Sequence, residues 1–335
     1  MESASVGFIA SFAVSALLGG RIIRMLQQVG ARQTVSEDAP AQHVAKQGTP
    51  TMGGLLILLG LTVTTLGYAA FSPHRVELLA LLILTLAFGL IGFLDDYLKA
   101  TRGKNLGLTS RQKLAMQIVF AVGFMIWLRL METPGKTTQI AFGAWMAIDP
   151  GEVYYLFGAL FIAGMSNAIN LADGLDGLAG GITTLLALAL AAVIQGGPEV
   201  HGLWLFAGAM SGGCAGFLWY NAHPAQVFMG DTGALALGAG LAGLAMLGKA
   251  EAPAQGIFLV PYAVALSVVI QVAVFKYRRR RFGLEYAKAN RVFRRTPLHH
   301  HFEELGWQET KIVQRFWLAT TLCAAITLVI FHQAR

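Results

Sequence analysis

Charge is scarce in this chain. Only 13% of its 335 residues are charged, where a soluble domain carries roughly a quarter. An ordinary water-soluble globule of this length is thereby excluded. Cysteine is scarcer still. Cys214 and Cys323 both lie in apolar runs, which excludes a disulfide framework and a zinc-type Cys spacing. A basic leader is missing after Met1-Glu2, and no clear small-residue cleavage site closes the first apolar run. That run is expected to be a retained span rather than a signal peptide. Aspartate numbers just seven. Five of them, Asp95, Asp96, Asp173, Asp176 and Asp231, stand at the edges of long apolar runs. A carboxylate at a membrane boundary is costly and so tends to serve a function.

What the chain does have is apolar sequence. Hydrophobic residues make up 55%, grouped in runs near the roughly 20 helical residues needed to cross a bilayer. The runs are Val6–Leu26, Met52–Phe71, Leu78–Leu94, Leu114–Met131, Val153–Ile169, Leu178–Ile194, Leu203–Tyr220, Ala234–Leu247, Ile257–Val274 and Ile312–Phe331. They predict an all-α, polytopic integral membrane protein of about ten transmembrane helices, with one domain over residues 1–335. The eighth run is short and is expected to need tilt or local thinning of the bilayer.

Sidedness follows from the cations. Twenty of the 25 Lys and Arg residues fall in or beside the loops after the odd-numbered runs. The positive-inside rule places those loops in the cytoplasm and both termini on the extracytoplasmic side. All five boundary aspartates then face the cytoplasm, together with Lys46, Thr51, Lys113, Asn221 and His299-His300-His301. Arg278-Arg279-Arg280-Arg281 follows the ninth run, where anionic lipid headgroups attract it. Nucleic acid is not an expected partner, because no recognition fold accompanies that run.

Two glycine patterns are expected to pack helices rather than bind nucleotides. Gly238, Gly240 and Gly243 match the dinucleotide fingerprint, but inside an apolar span with no preceding strand. Gly208, Gly212 and Gly216 form a stripe of small residues on the seventh run. The glycine spacing of Gly48 to Gly53 lacks the Lys-Ser/Thr of a P-loop.

Four segments could carry chemistry. Asp95-Asp96 closes the third run, where a helix C-terminus would aggravate their repulsion unless a cation or proton relieves it. Asn170, Asp173 and Asp176 are three apart, so on a helical turn they would share one face. Their neighbours Gly174 and Gly177 allow close approach of backbone to a ligand. Asp231 lies in a Gly-flanked turn before the eighth run, and suits either helix capping or magnesium. His299 to His301 form a poor zinc site, because neighbours cannot easily converge on one ion. In an extended segment His299 and His301 would face one way and His300 the other. Imidazoles there suit phosphate contact or proton transfer. Together these groups suit phosphoryl transfer between a soluble phosphate donor and a lipid acceptor.

The motifs Lys46-Gln-Gly-Thr-Pro-Thr-Met-Gly-Gly54, Phe93-Leu-Asp-Asp-Tyr97, Asn167 to Gly177, Asn221-Ala-His-Pro224 and Val227 to Gly233 resemble the polyprenyl-phosphate N-acetylhexosamine-1-phosphate transferases. Arg291 to Glu303, with its His run, narrows the resemblance to the branch that acts on muramoyl-pentapeptide. The resemblance covers nearly the whole chain. It implies a magnesium-dependent enzyme of the bacterial inner membrane with a cytoplasmic active site, and often a homodimer. It also implies transfer of phospho-MurNAc-pentapeptide from UDP-MurNAc-pentapeptide to undecaprenyl phosphate, giving lipid I and UMP. By the same resemblance Asp231 is the magnesium ligand, and Asp95, Asp96 and His299 stand with the chemistry. Asn170, Asp173, Asp176, Asn221 and Lys113 line the nucleotide and diphosphate pocket. Gly174, Leu175 and Phe228 hold uracil, Lys46 and Thr51 line the pocket, and His300 and His301 help cover the sugar-diphosphate side. A sister transferase using another UDP-amino sugar is the nearest alternative. A transporter is a further one, against which the one-sided polar groups and the lack of an internal repeat argue.

Overall fold

The computed structural model describes residues 2–29, 48–73, 75–102, 107–131, 136–143, 145–197 and 200–333. Every expected run is a helix, and the chain is an all-α, multi-pass membrane protein. Among the described residues the ten apolar helices are α1 (Glu2–Val29), α2 (Gly54–Ala69), α3 (Arg75–Arg102), α4 (Ser110–Leu130), α5 (Val153–Ala172), α6 (Leu178–Val193), α7 (His201–Asn221), α8 (Gly230–Leu247), α10 (Leu259–Phe282) and α13 (Glu309–Gln333). Shorter helices are α9 (Glu251–Ile257), α11 (Leu284–Ala289) and α12 (Leu298–Glu303). A two-stranded antiparallel ribbon, Ile140–Ala141 with Ala147–Ile148, lies between α4 and α5.

Among the described residues, eight helices are long and apolar enough to span a membrane. The two shorter ones are α2 and α6, 16 residues each, and not the eighth run as its apolar stretch suggested. Helix α8 has 18 residues because it starts at Gly230 and takes Asp231 into its first turn. Leu17, Ile83, Val119, Leu130 and Leu318 are exposed on the outer faces of their helices. An apolar surface of that kind is matched by lipid tails rather than water.

Helix α8 is the centre of the bundle. Every residue from Thr232 to Leu247 is buried. It packs mainly against α3 and α5, with α2 alongside. Its Ala- and Gly-rich sequence is what permits such close approach, as small residues do at interfaces inside membranes. A Cβ on Gly238 would sit 2.4 Å from the Met165 carbonyl oxygen, so the fingerprint-like glycines do serve packing. The stripe on α7 does the same against α1. A Cβ on Gly208 would meet the Ala4 carbonyl oxygen at 1.9 Å, and one on Gly212 the Phe8 carbonyl oxygen at 2.1 Å.

One polar network lies at the end of the bundle away from the boundary aspartates. Tyr154 donates to Glu251 at 2.5 Å, and Lys249 reaches both Glu251 (2.9 Å) and the Tyr154 hydroxyl (3.1 Å). Lys249 also donates to the Thr137 carbonyl at 2.9 Å. This ties the start of α5 to the α8–α9 turn and to the chain before the ribbon.

Because backbone lies against Gly212, Gly212→Val should destabilise the protein by about 1–3 kcal/mol or more through overpacking. Gly123→Ala, on α4 with open space around it, should be neutral or stabilising by up to ~1 kcal/mol. Thermal unfolding in detergent compares the two. Equal shifts would overturn the packing account.

Candidate active site

Helix α3 does not end at Asp95-Asp96. It continues about two turns to Arg102, so neither carboxylate meets its own helix C-terminus. Adjacent helical residues point about 100° apart, and the two aspartates diverge accordingly. Asp96 turns to the start of α8, whose N-cap residue Met229 makes no side-chain cap. There it accepts the Thr232 hydroxyl (2.7 Å) and the backbone N–H groups of Thr232 (3.0 Å) and Asp231 (3.3 Å). Such first-turn N–H groups have no partner within their own helix. Asp96 therefore caps α8 from a neighbouring span, at the positive end of that helix dipole.

Asp95 turns to two lysines. Its Oδ2 lies 2.6 Å from Lys99 Nζ and 3.0 Å from Lys113 Nζ, while Oδ1 accepts the Leu108 N–H at 2.7 Å. Lys113 stands in the first turn of α4. A capping box fixes that start, with Gln112 N–H donating to Thr109 Oγ1 and Thr109 N–H to Gln112 Oε1. Asp231 joins the same ammonium groups, with Oδ2 at 2.5 Å from Lys113 and 3.5 Å from Lys99. Its Oδ1 accepts the Asn170 amide at 2.8 Å. The backbones carrying these groups touch. A Cβ on Gly92 would lie 2.1 Å from the Asp231 carbonyl oxygen, so glycine sets how closely α3 approaches α8.

Oxygen atoms of Asp95, Asp96 and Asp231 lie within 4.8 Å of one another, a group that could hold a metal ion. Hard carboxylate oxygens suit magnesium or calcium. Asp173, just past the end of α5, adds a fourth carboxyl. Burial, then the charges of Asp231 and Asp96, push it up to about 8, against a bond from the Gly230 N–H. The carboxylates of Asp95, Asp96 and Asp231 outnumber the ammonium groups of Lys99 and Lys113, and their hard oxygens fit a divalent cation. Thr51 borders the same place. A Cβ on Gly230 would stand 2.5 Å from Asp96 Oδ2 and 2.8 Å from Thr51 Oγ1.

Asn170, Asp173 and Asp176 do not share one face, because α5 stops at Ala172 and the chain turns. Asn170 and Asp173 stay with Asp231. Asp176 is carried to a second group, where its Oδ2 meets His223 Nδ1 (3.0 Å) and the Ala225 N–H (3.1 Å). Asp176, His223 and Glu309 also have ligand atoms within 4.8 Å of one another. Asn221 is here too, accepting the Gly177 N–H at 2.9 Å and donating to the Val227 carbonyl at 2.8 Å. Phe228 follows directly, its backbone paired with the Pro50 carbonyl and the Gly53 N–H. Leu175 is buried in the turn between the two groups.

The histidines form the short helix α12, not an extended strand, so they fan around an axis instead of alternating. His299 is buried, and its ring lies against Gly174, whose added Cβ would meet Nε2 at 2.2 Å. His300 bonds Glu303 through Nδ1, and His301 Nδ1 accepts the Arg294 N–H at 3.1 Å. Phe302 stacks on Trp307 at 4.6 Å, with the Arg315 guanidinium 4.2 Å from the indole centroid. These contacts fasten α12 to α13. Lys46 lies outside the described residues.

Sequence reasoning missed Lys99, Thr232, His223 and Glu309. Lys99 was detectable as the i+4 partner of Asp95 on one helix face. Thr232 adjoins Asp231 but has no pattern of its own. Glu309 has no local signal, because its partner Asp176 is 133 residues away.

Carboxylates and ammonium groups gathered at one end of a bundle of spans suit a multi-pass membrane phosphotransferase. A family model for glycosyl transferase family 4 matches residues 78–249. The phospho-N-acetylmuramoyl-pentapeptide-transferase signature 1 matches residues 46–58. Proteins named phospho-N-acetylmuramoyl-pentapeptide-transferase are similar over nearly the full length. The one from Gemmatimonas aurantiaca is 42% identical over 97% of this chain and 92% of its own. That from Heliobacterium modesticaldum is 41% identical over 98% of each, and that from Moorella thermoacetica 44% over 93% of each. The chain belongs to the phospho-N-acetylmuramoyl-pentapeptide-transferase family, membrane enzymes of peptidoglycan synthesis.

Thr232→Val keeps the shape of the side chain but removes the hydroxyl that Asp96 accepts. It should cost about 1–3 kcal/mol, the penalty for leaving a buried acceptor short of a partner. Chemical or thermal unfolding of the purified protein measures this. An unchanged midpoint would mean the hydroxyl bond adds nothing to the cap.

Proposed function

We propose that the chain transfers phospho-MurNAc-pentapeptide from UDP-MurNAc-pentapeptide to undecaprenyl phosphate, producing lipid I and UMP. The observation that carries this reading is the meeting of Asp95, Asp96 and Asp231 with Lys99 and Lys113, from three helices, at one end of the bundle. The names of the relatives support the choice of substrates. The excess of Lys and Arg near the same end supports a site on the cytoplasmic side of the bacterial inner membrane, with both termini outside. One domain working as a homodimer completes the proposal.

Magnesium is the cation proposed for this site, with Asp231 as its ligand; when bound it would offset charge on the diphosphate and the departing UMP. The chain's own residues do the rest. The lipid phosphate oxygen attacks the sugar-linked phosphorus in line, and the bond from that phosphorus to the UMP oxygen breaks. Asp95 accepts the proton of the lipid phosphate. Asp96, held by three donors of α8, keeps α3 and α8 in register. Lys99 and Lys113 exchange carboxylate partners for phosphate oxygens. Asn170 and Asp173 border the diphosphate, with Thr51 and Lys46 along the pocket. Gly174, Leu175 and Phe228 hold uracil beside Asp176 and Asn221. His299, in contact with Gly174, stands nearest the chemistry on the sugar side, with His300 and His301 behind it.

UMP release from UDP-MurNAc-pentapeptide should require both undecaprenyl phosphate and magnesium, and UDP-N-acetylglucosamine should be a poor donor. Asp231→Ala should abolish release while the protein stays folded. Near-normal turnover of that variant at limiting magnesium would overturn the metal assignment. Isolation of a stoichiometric phospho-sugar adduct on the protein from the UDP donor alone would overturn the single displacement.

A further inference from the structure

The turn from Asp173 to Gly177 is gripped from two sides. On one side Asn221 Oδ1, at the end of α7, accepts the Gly177 N–H at 2.9 Å. On the other, Glu309 Oε1, in the first turn of α13, accepts the Asp176 N–H at 2.7 Å. The second oxygen of Glu309 lies 3.5 Å from His223 Nδ1. That same nitrogen is 3.0 Å from Asp176 Oδ2. Glu309 and His223 thus hold both the backbone and the side chain of Asp176. Asp176 Oδ2 also accepts the Ala225 N–H at 3.1 Å.

The grip matters because the turn is otherwise loose by composition. It carries two glycines, and Gly177 sits at φ +80°, a conformation open to few other residues. A glycine-rich turn that binds a ligand through its backbone must be ordered before or during binding, and ordering it during binding weakens affinity. A carboxylate accepting a backbone N–H is among the stronger hydrogen bonds available for this. Glu309 reaches the turn from a helix that begins 133 residues later, so the C-terminal span reports directly on its shape.

We propose that Glu309 and His223 are positioning residues that preset the Gly174–Leu175–Asp176 backbone for the uridine end of the donor. They set donor affinity and leave the chemical step to the Asp95–Asp96–Asp231 group. The inference rests on the proposed reading of this turn as the uracil pocket.

The test uses the full-length enzyme in detergent with undecaprenyl phosphate, UDP-MurNAc-pentapeptide and magnesium. E309A should raise the donor KM about tenfold, the loss expected for one charge-assisted hydrogen bond. Its kcat and its KM for the lipid should stay within about twofold. E309Q keeps an acceptor for the Asp176 N–H and should recover most of the donor affinity, which a merely structural role would not predict. H223Q probes the same grip independently if E309A fails to fold, and should raise the donor KM by a smaller factor. Direct titration with UMP separates the two levels of the proposal. Wild type that fails to bind UMP sinks the pocket reading. Equal UMP affinity in wild type, E309A and H223Q sinks only the positioning role, as does a fall in kcat at unchanged donor KM.

Discussion

Holding like charges together at the ends of apolar helices is the constraint on which this structure turns. Carboxylates at the edge of a low-dielectric slab repel one another far more strongly than in water. They persist only where fixed donors or cations face them. Two devices do this. Asp96 is hydrogen-bonded by the N-terminal donors of α8, a contact that also joins two spans. Asp95 and Asp231 share Lys99 and Lys113, so that one pair of ammonium groups bridges α3, α4 and α8. The polar contacts that make the site electrostatically tolerable are therefore the same ones that align the helices around it.

The small residues serve this arrangement. Glycines at 54, 92 and 233 bring α2, α3 and α8 within backbone contact beside the site. Lys113 can reach two carboxylates only because α4 begins at a fixed place, set by the Thr109–Gln112 box. Asp173 shows the cost of such crowding. Burial first, and the charges of Asp231 and Asp96 second, raise its pKa and favour its protonated form.

Much of this was legible in the sequence. Apolar runs of membrane length gave ten helices, because in a bilayer the backbone must satisfy itself within each span. The aspartates were legible for the converse reason, since charge is rare enough there that each one stands out. What was not legible depended on where helices stop and on partners distant in sequence. The Asn170–Asp173–Asp176 spacing suggested one face, but α5 ends between the first and second of them, and Asp176 joins another group. Asp95-Asp96 looked like a helix end because the apolar run stops there, whereas the hydrogen-bonded helix continues through polar residues. The eighth span looked short for the same reason, as Gly230 to Gly233 belong to the helix but not to its apolar stretch. Three adjacent histidines carried no signal of their backbone shape. Glu309 was invisible without the fold.

Helix α8 has almost no surface of its own. Spans on the outside of the bundle can exchange one large apolar residue for another, since lipid tails adapt to either. From Thr232 to Leu247 every side chain instead meets protein. In terms of sequence drift, this modestly hydrophobic helix is governed by volume rather than by hydrophobicity. Its freedom to change should resemble that of a soluble protein's core, and even an alanine-for-glycine exchange there must be matched on a neighbouring span.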